Sequence, residues 1–324
     1  MTRLWPLAAA GALLATFLTP VAQAQDWPTK PVRILTPFPP GAGPEAVVRV
    51  VAEKLSRTWG QPVIVENRPG ANGFLAIDAF KRGDKAGYDL IQVDNVLSAY
   101  PSLFKKLPYD PQKDFEVIAP FFKGSFFFAV AANSPYKTVA DLIADAKARP
   151  GKLNYGSWSI GNPVHLGSEL FESMTGTQME HVVYKETSML YAGVANGELA
   201  FALGTSASSG ALQRAGRIRY LAVAGPKRLP AYPDVPTITE SGGPAGFDVL
   251  GWTALAAPKG VNPAVIEKIR RDFDKALAEP DIAQRYGTFG YELFPTTPEQ
   301  FSSFVKGESA RFSEVIRKAN VSLD

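Results

Sequence analysis

Ile34-Leu35-Thr36-Pro37-Phe38-Pro39-Pro40-Gly41-Ala42-Gly43-Pro44-Glu45 reads as the end of a strand, a stiff turn and the start of a helix. Val32 to Leu35 is β-branched and aliphatic, whereas Ala46 to Leu55 carries apolar residues at helical spacing with charges between them. Pro39 and Pro40 hold the backbone extended, Gly41 and Gly43 allow a close approach without a side chain, and Pro44 suits the first helical position. The unpaired N–H groups of such a helix start favour an anion, a carboxylate or a phosphate. Gly41 to Ala46 also fits the G-x-G-x-x-[GA] dinucleotide fingerprint, with Glu66 about 20 residues further on after a second strand. The Pro-Pro pair stiffens the approach where that fingerprint needs an immediate tight turn, and the N-terminus points to a compartment where nicotinamide cofactors are not expected.

Met1 to Ala24 has Arg3, an apolar run from Leu7 to Leu18 and the A-x-A pattern Ala22-Gln23-Ala24, which together predict a cleaved signal peptide. The apolar run is too short to span a bilayer, and nothing later approaches that length, so the mature chain is not expected to be membrane-inserted. The chain has no cysteine, hence neither disulfides nor a lipid-bearing cysteine, and export without a tether in a bacterium suggests the periplasm. The net charge is only +3, and no Lys/Arg run is interleaved with aromatics, which argues against nucleic acid as a partner. Roughly 300 mature residues sit at the upper edge of one domain, so two lobes are expected.

Along the chain, strand and helix alternate. Gln61 to Asn67 and Tyr88 to Val93 are predicted strands, Phe74 to Lys81 a helix, and Asp94-Asn95 either caps a short helix or points into a cleft. This is the pattern of an α/β sheet whose ligand site lies beyond the carboxyl ends of its parallel strands. Tyr100 to Pro111 reads as a proline-punctuated connector. Phe115 to Ala131 is strand-like, and its interruption at Gly124-Ser125 reads as the crossing into a second lobe. There, Asn154 to Leu166 repeats the logic of the first turn, with a loop rich in Gly, Ser and Asn leading to a helix from about Pro163, a second anion cradle expected to face the first. Leu199 to Leu203 is a strand followed by the polar loop Gly204 to Ser209. Val249 to Ala256 returns to the first lobe, and helices over Val265 to Glu279 and Pro298 to Lys318 close the chain. The division is therefore residues 1–24 as signal peptide, 25–124 plus 249–324 as lobe 1, and 125–248 as lobe 2.

Several side chains have two readings. Trp158 could stack on a flat ligand or fill space between lobes. Asp94 and Glu186 could meet an ammonium group or be solvated carboxylates. The hydroxyls of Ser157, Ser159, Thr205, Ser206 and Ser208 could hold a carboxylate or cap turns. Ser157-Trp158-Ser159-Ile160-Gly161 resembles a nucleophile elbow, but Ser157 replaces its first glycine and His165 lies only six residues past Ser159. Two histidines and no cysteine leave little for a zinc site. Neither catalysis, a metal nor a cofactor is expected.

The segments Trp27 to Arg33, Pro37 to Gly41, Val65 to Ala71, Leu107 to Pro111 with Lys113-Asp114-Phe115, Pro150 to Ser157, Val183-Tyr184-Lys185, and Lys227 to Pro230 leading to Pro233 to Thr237 carry a resemblance. The chain resembles the periplasmic solute-binding proteins of tripartite tricarboxylate transporters, the TctC or Bug (Bordetella uptake gene) family. The resemblance implies a two-lobed type II binding protein, a Venus flytrap with a helix-flanked sheet in each lobe. It implies a protein that closes on a small organic anion, commonly a di- or tricarboxylate, acidic amino acid or aromatic carboxylate, and delivers it to the permease subunits of a membrane transporter; presentation to a membrane sensor is the alternative use, and a monomer is expected. It places the ligand at the strand-to-helix loops, so the candidate ligand-binding residues are Phe38, Pro40, Gly41, Ala42, Gly43 and Glu45 from the first, Asp94 and Asn95, then Ser157, Trp158, Ser159, Gly161, Asn162 and His165 from the second, with Tyr184, Thr205 and Ser206. Ala42-Gly43-Pro44-Glu45, Trp158, Glu186 and Gly204 depart from the family's usual residues, and Pro44 removes one N–H donor from the first cradle.

Overall fold

The structure is a computed structural model that describes residues 27–40 and 42–323. The expected signal peptide and Gly41 lie outside the described residues.

The first sheet grows from β1 (Val32–Thr36), which pairs in parallel with β2 (Val63–Asn67) on one side and β3 (Asp89–Asp94) on the other. Antiparallel to β3 runs β10 (Leu250–Pro258), then β4 (Phe115–Ser125) and the short β11 (Tyr291–Glu292), giving the order β11-β4-β10-β3-β1-β2. Helices cover both faces. On one, α1 (Gly43–Trp59), α8 (Pro263–Leu277) and α9 (Pro280–Phe289) pack Val47, Val51, Phe273 and Tyr286 onto Val32, Ile34, Leu90 and Leu255. On the other, α2 (Phe74–Lys81), α3 (Val96–Leu103) and α10 (Pro298–Ala319) pack Phe80, Leu97 and Phe301 onto Leu35, Ile91, Val93 and Trp252. Burial on both faces explains why β1 and β3 are apolar almost without alternation, and each fully buried aliphatic or aromatic side chain contributes about 1.5–3 kcal/mol.

The second sheet centres on β5 (Phe127–Ala131), flanked by β8 (Ala202–Gly204) and β9 (Ile218–Val223). β6 (Asn154–Ser157) and β7 (Glu180–Val183) pair in parallel and join it through a bridge from Tyr155 to Phe201. α4 (Val139–Ala148), α5 (Pro163–Thr175), α6 (Thr187–Ala195) and α7 (Ser206–Arg214) complete this unit. Phe128 and Phe201 face one core, and Phe127 and Tyr191 the other.

The chain passes between the two sheets at Phe126 and again at Val249. Both crossings lean on Ala224, whose N–H donates to the Phe126 carbonyl (2.7 Å) and whose carbonyl accepts from Val249 N–H (2.9 Å). β4 continues through Gly124 and Ser125, paired with Gly251 and Leu250, because glycine at 124 fits under Tyr291, where a Cβ would lie 2.9 Å from the ring. The expected connector from Tyr100 is helical as far as Leu103 despite Pro101, since Ala99, Tyr100 and Leu103 are buried against Phe312 and Ile316 of α10. Tertiary burial there outweighs the penalty of an internal proline. α9 and β11 have no counterpart among the expected elements.

Candidate functional site

At the carboxyl end of β1, Thr36 donates to Gln92 Oε1 (2.7 Å) and Gln92 Nε2 donates to the Pro44 carbonyl (3.1 Å), which fixes the first turn of α1 over the sheet. Phe38 is half-buried; its N–H donates to Thr36 Oγ1 (3.3 Å) and its carbonyl accepts from Asn67 Nδ2 (2.9 Å). Pro40 is exposed. The helix begins after Ala42, which is in extended geometry and supplies no side-chain cap. Glu45 is buried and bonded to Arg49 and to Asn67 Nδ2, which turns its carboxylate toward its own helix and β2.

The start of α1 meets the start of α7 from the other unit. A Cβ on Gly43 would lie 2.7 Å from the Tyr291 hydroxyl and 3.0 Å from Ala207 Cβ. Thr205 caps α7 through Ser208 N–H (3.3 Å) while Ser208 Oγ accepts from Thr205 N–H (3.0 Å). The next hydroxyl, Ser206 Oγ, is buried without a hydrogen-bond partner. Two helix N-termini thus approach one another across the units, and both favour negative charge. The α5 start lies against the end of α3: Gly161, with φ +81°, sits where a Cβ would be 2.5 Å from Leu103.

The loop before α5 is internally bonded. Ser157 Oγ donates to the Ser159 carbonyl (2.9 Å), and Asn162 Nδ2 donates to that carbonyl (2.6 Å), to Ser157 Oγ (3.2 Å) and to Ser159 Oγ (3.3 Å). Asn162 Oδ1 caps the helix by accepting from Val164 N–H (2.7 Å) and His165 N–H (3.0 Å). His165 Nδ1 accepts from Gly161 N–H (3.1 Å), and His181 Nε2 lies 2.8 Å from Ser157 Oγ. The sequence placed His181 only within a strand; its partnership with Ser157 is long-range and had no local signal. Burial, then the neighbouring His165, pushes His181 down to about 4. Trp158 is half-buried at the edge of the second sheet and packs against the cores on both faces. Tyr184 lies over Gly156 and Gly193.

Asp94 ends β3. Its Oδ1 accepts from Val96 N–H (3.0 Å), and burial pushes its carboxyl up to about 6. Asn95 is buried, donating to the Leu250 carbonyl and accepting from Trp252 N–H, each at 3.0 Å, so its amide ties α3 to the returning strand β10. The sequence reading missed Gln92, Tyr291 and Thr253, all of which the sheet brings to this mouth. Surface grooves of about 420 and 530 Å³ lie elsewhere, along α10 and between Arg33, Arg68 and Arg82.

The profile of the Tripartite tricarboxylate transporter family receptor, TctC, matches residues 47–321. The chain belongs to this receptor family. Protein BugT of Bordetella pertussis is 31% identical over 329 residues, covering 100% of this chain and 99% of its own. Among solved structures, the R. palustris protein Rpa4515 with adipate superposes with a TM-score of 0.83 at 29% identity, covering 91% of this chain and 99% of that one. MatC from Rhodopseudomonas palustris with bound malate gives 0.79 at 25% identity, covering 90% and 100%. The α/β two-lobed fold of these receptors is the fold described above, with the meeting of α1 and α7 at the junction of its lobes. Among the described residues no helix is long and apolar enough to cross a membrane, and no group of three or more His, Asp or Glu side chains could hold a metal ion.

Proposed function

We propose that this receptor is a periplasmic solute-binding protein that captures a small organic carboxylate between lobes formed by residues 25–124 with 249–324 and by residues 125–248, and delivers it to a tripartite tricarboxylate-type permease. The observation that carries this reading is the approach of the α1 and α7 starts across the two units. Opposed helix N-termini supply donors and positive potential for an anion from both sides, and only when the units are together. The relatives with adipate and malate support a carboxylate as the ligand class. Binding needs no covalent chemistry. Ser157 is fully buried, and His165, the base an elbow at Ser159 would need, has Nδ1 on the Gly161 N–H and Nε2 beside Glu169.

The test is a thermal-shift screen of the purified mature protein, because a ligand that binds only the folded state raises its melting temperature. Stabilisation by at least one mono-, di- or tricarboxylate is expected. A screen in which only sugars, cations or neutral amides stabilise would overturn the reading.

A further inference from the structure

Asp248 immediately precedes the crossing at Val249, and its carboxylate reaches toward the other crossing. A Cβ on Gly225, next to the Ala224 on which both crossings lean, would lie 3.3 Å from Asp248 Oδ1 and 3.8 Å from Ser125 Oγ, just before Phe126. Arg311 of α10 arrives at the same point. Its Nη2 pairs with Glu308 Oε1 at 2.7 Å, whereas its Nη1 donates to the main-chain carbonyl of Asp248 and not to the carboxylate. Arg311 Nε and Asp248 Oδ1 are both enclosed, and neither has a hydrogen-bond partner. The cations whose charge acts on the Asp248 carboxyl are Arg311 and Lys123 of β4; burial outweighs both and holds that carboxyl above its ordinary value. A buried carboxylate oxygen and a buried guanidinium N–H normally take each other up when they are neighbours. These two miss each other at the junction of the units. Rotation of the backbone at Asp248 and Val249 changes which Asp248 acceptor, carbonyl or carboxylate, faces Arg311.

We infer that Asp248 and Arg311 form a hinge switch: Arg311 holds the Asp248 carbonyl while the α1 and α7 starts are in contact, and holds the Asp248 carboxylate when the units part. The inference rests on the reading of the protein as a two-lobed receptor that closes, and it names what opposes closure. A charged acceptor binds the guanidinium more strongly than a neutral carbonyl. The ion pair therefore favours the open form and weakens the apparent affinity for any carboxylate in proportion to the fraction of protein it holds open. Glu308 keeps its bond to Nη2 in both forms, so it fixes the guanidinium without favouring either. Asp248 and Arg311 are positioning residues that act on the ligand through the hinge.

The chain has no cysteine, so nitroxide labels can be placed at Lys85→Cys in one unit and Lys185→Cys in the other, both exposed positions. Double electron–electron resonance then reads the distance between the units in the mature protein. Without added carboxylate, Asp248→Asn should raise the ratio of closed to open populations about fivefold. Arg311→Ala combined with Glu308→Gln should do the same, and Glu308→Gln alone should leave the ratio unchanged. Adding Asp248→Asn to the Arg311 and Glu308 changes should have no further effect, because both act on one contact. Adipate affinity, measured by calorimetry, should rise in the variants that close. A ratio unmoved by Asp248→Asn, moved as far by Glu308→Gln alone, or moved additively by the two sets of changes would overturn the switch. Should Asp248→Asn not fold, the comparison of Arg311→Ala with Glu308→Gln against Glu308→Gln alone decides. The populations judge the hinge whether or not adipate binds, whereas failure of every carboxylate to bind would overturn the receptor reading alone.

Discussion

His165 and His181, the two histidines of the chain, stack with ring centroids 4.1 Å apart and 29° between their planes. Ser157 Oγ lies 2.8 Å from His181 Nε2 and 2.9 Å from the Ser159 carbonyl, and its single proton serves one of the two. His165 Nδ1 accepts from Gly161 N–H, so its proton is on Nε2, 3.5 Å from Glu169 Oε1. Tyr155 stacks on His181 at 5.1 Å and also bonds Glu169. The loop before α5 therefore rests on a stacked imidazole pair.

This pair makes stability depend on pH. His181 is held near 4 in the folded protein, below the ordinary histidine value of about 6.5. Between those values the unfolded chain binds more protons, so the stabilisation is complete above about 6.5 and is lost as pH falls toward 4, by at most about 1.4 kcal/mol per pH unit. Glu172, pushed up to about 7 by burial and by Glu169, titrates with the opposite sign in an overlapping range. The informative quantity is thus the difference between wild type and His181→Gln in urea unfolding at several pH values. That difference should narrow by about 1–2 kcal/mol from pH 7 to pH 5.

Asn162 holds the same loop from the other side, with Oδ1 on two N–H groups of α5 and Nδ2 on Ser157 and Ser159. Asn162→Ala should cost about 1–2 kcal/mol of unfolding free energy as a lost cap. Asn162→Asp keeps the acceptor and should recover most of the capping term, while the bonds from Nδ2 stay lost.

Gly43 tests the meeting of the helix starts. Its backbone is helical, which favours alanine by about 0.5–1 kcal/mol, and the 2.7 Å approach to the buried Tyr291 hydroxyl of the same unit offsets that gain. The new Cβ would lie 2.7 Å from the Tyr291 hydroxyl of its own unit and 3.0 Å from Ala207 of the other, and the second contact opposes the close approach of the units. Ligand affinity should therefore fall about tenfold, a larger effect than the change in melting temperature of the unliganded protein. Gly43→Ala with Tyr291→Phe should regain part of it.

The residues flanking the crossing at Val249 carry a buried ionic cluster. Arg311 of α10 donates to the Asp248 carbonyl and pairs with Glu308 at 2.7 Å; Glu308 Oε2 and Asp248 Oδ1 are buried with no other partner. Arg311→Ala strands Glu308, 8% exposed at its side chain, and should cost about 3 kcal/mol. Combining it with Glu308→Gln should return much of that loss, read as unfolding free energy.

The strand-turn-helix at β1 and α1 was legible because Pro39, Pro40, Gly43 and Pro44 constrain the local backbone whatever surrounds them. The α5 start was legible for the same reason, through Asn162 and Pro163. What could not be read is what these local units face. Whether α1 meets α5 or α7 depends on how two sheets are joined at Phe126 and Val249, and no local pattern encodes that. Asn95 looked like a cap or a cleft residue, yet its amide is taken up by β10, some 155 residues on. Thr253, within the apolar run Trp252 to Ala257, looked like an ordinary strand residue; only the ladder with β3 puts it beside Asp94. The continuation of α3 past Tyr100 was hidden by Pro101, and β11 is two residues long.

The most direct test of the account is a crystal structure of the mature protein with the carboxylate that stabilises it most in the thermal-shift screen. The carboxylate should lie enclosed between the first turns of α1 and α7, within hydrogen-bond distance of main-chain N–H groups and of Ser206 Oγ. A carboxylate bound instead in the groove between Arg33, Arg68 and Arg82, with the mouth at Gly43 and Ala207 holding only solvent, would contradict it.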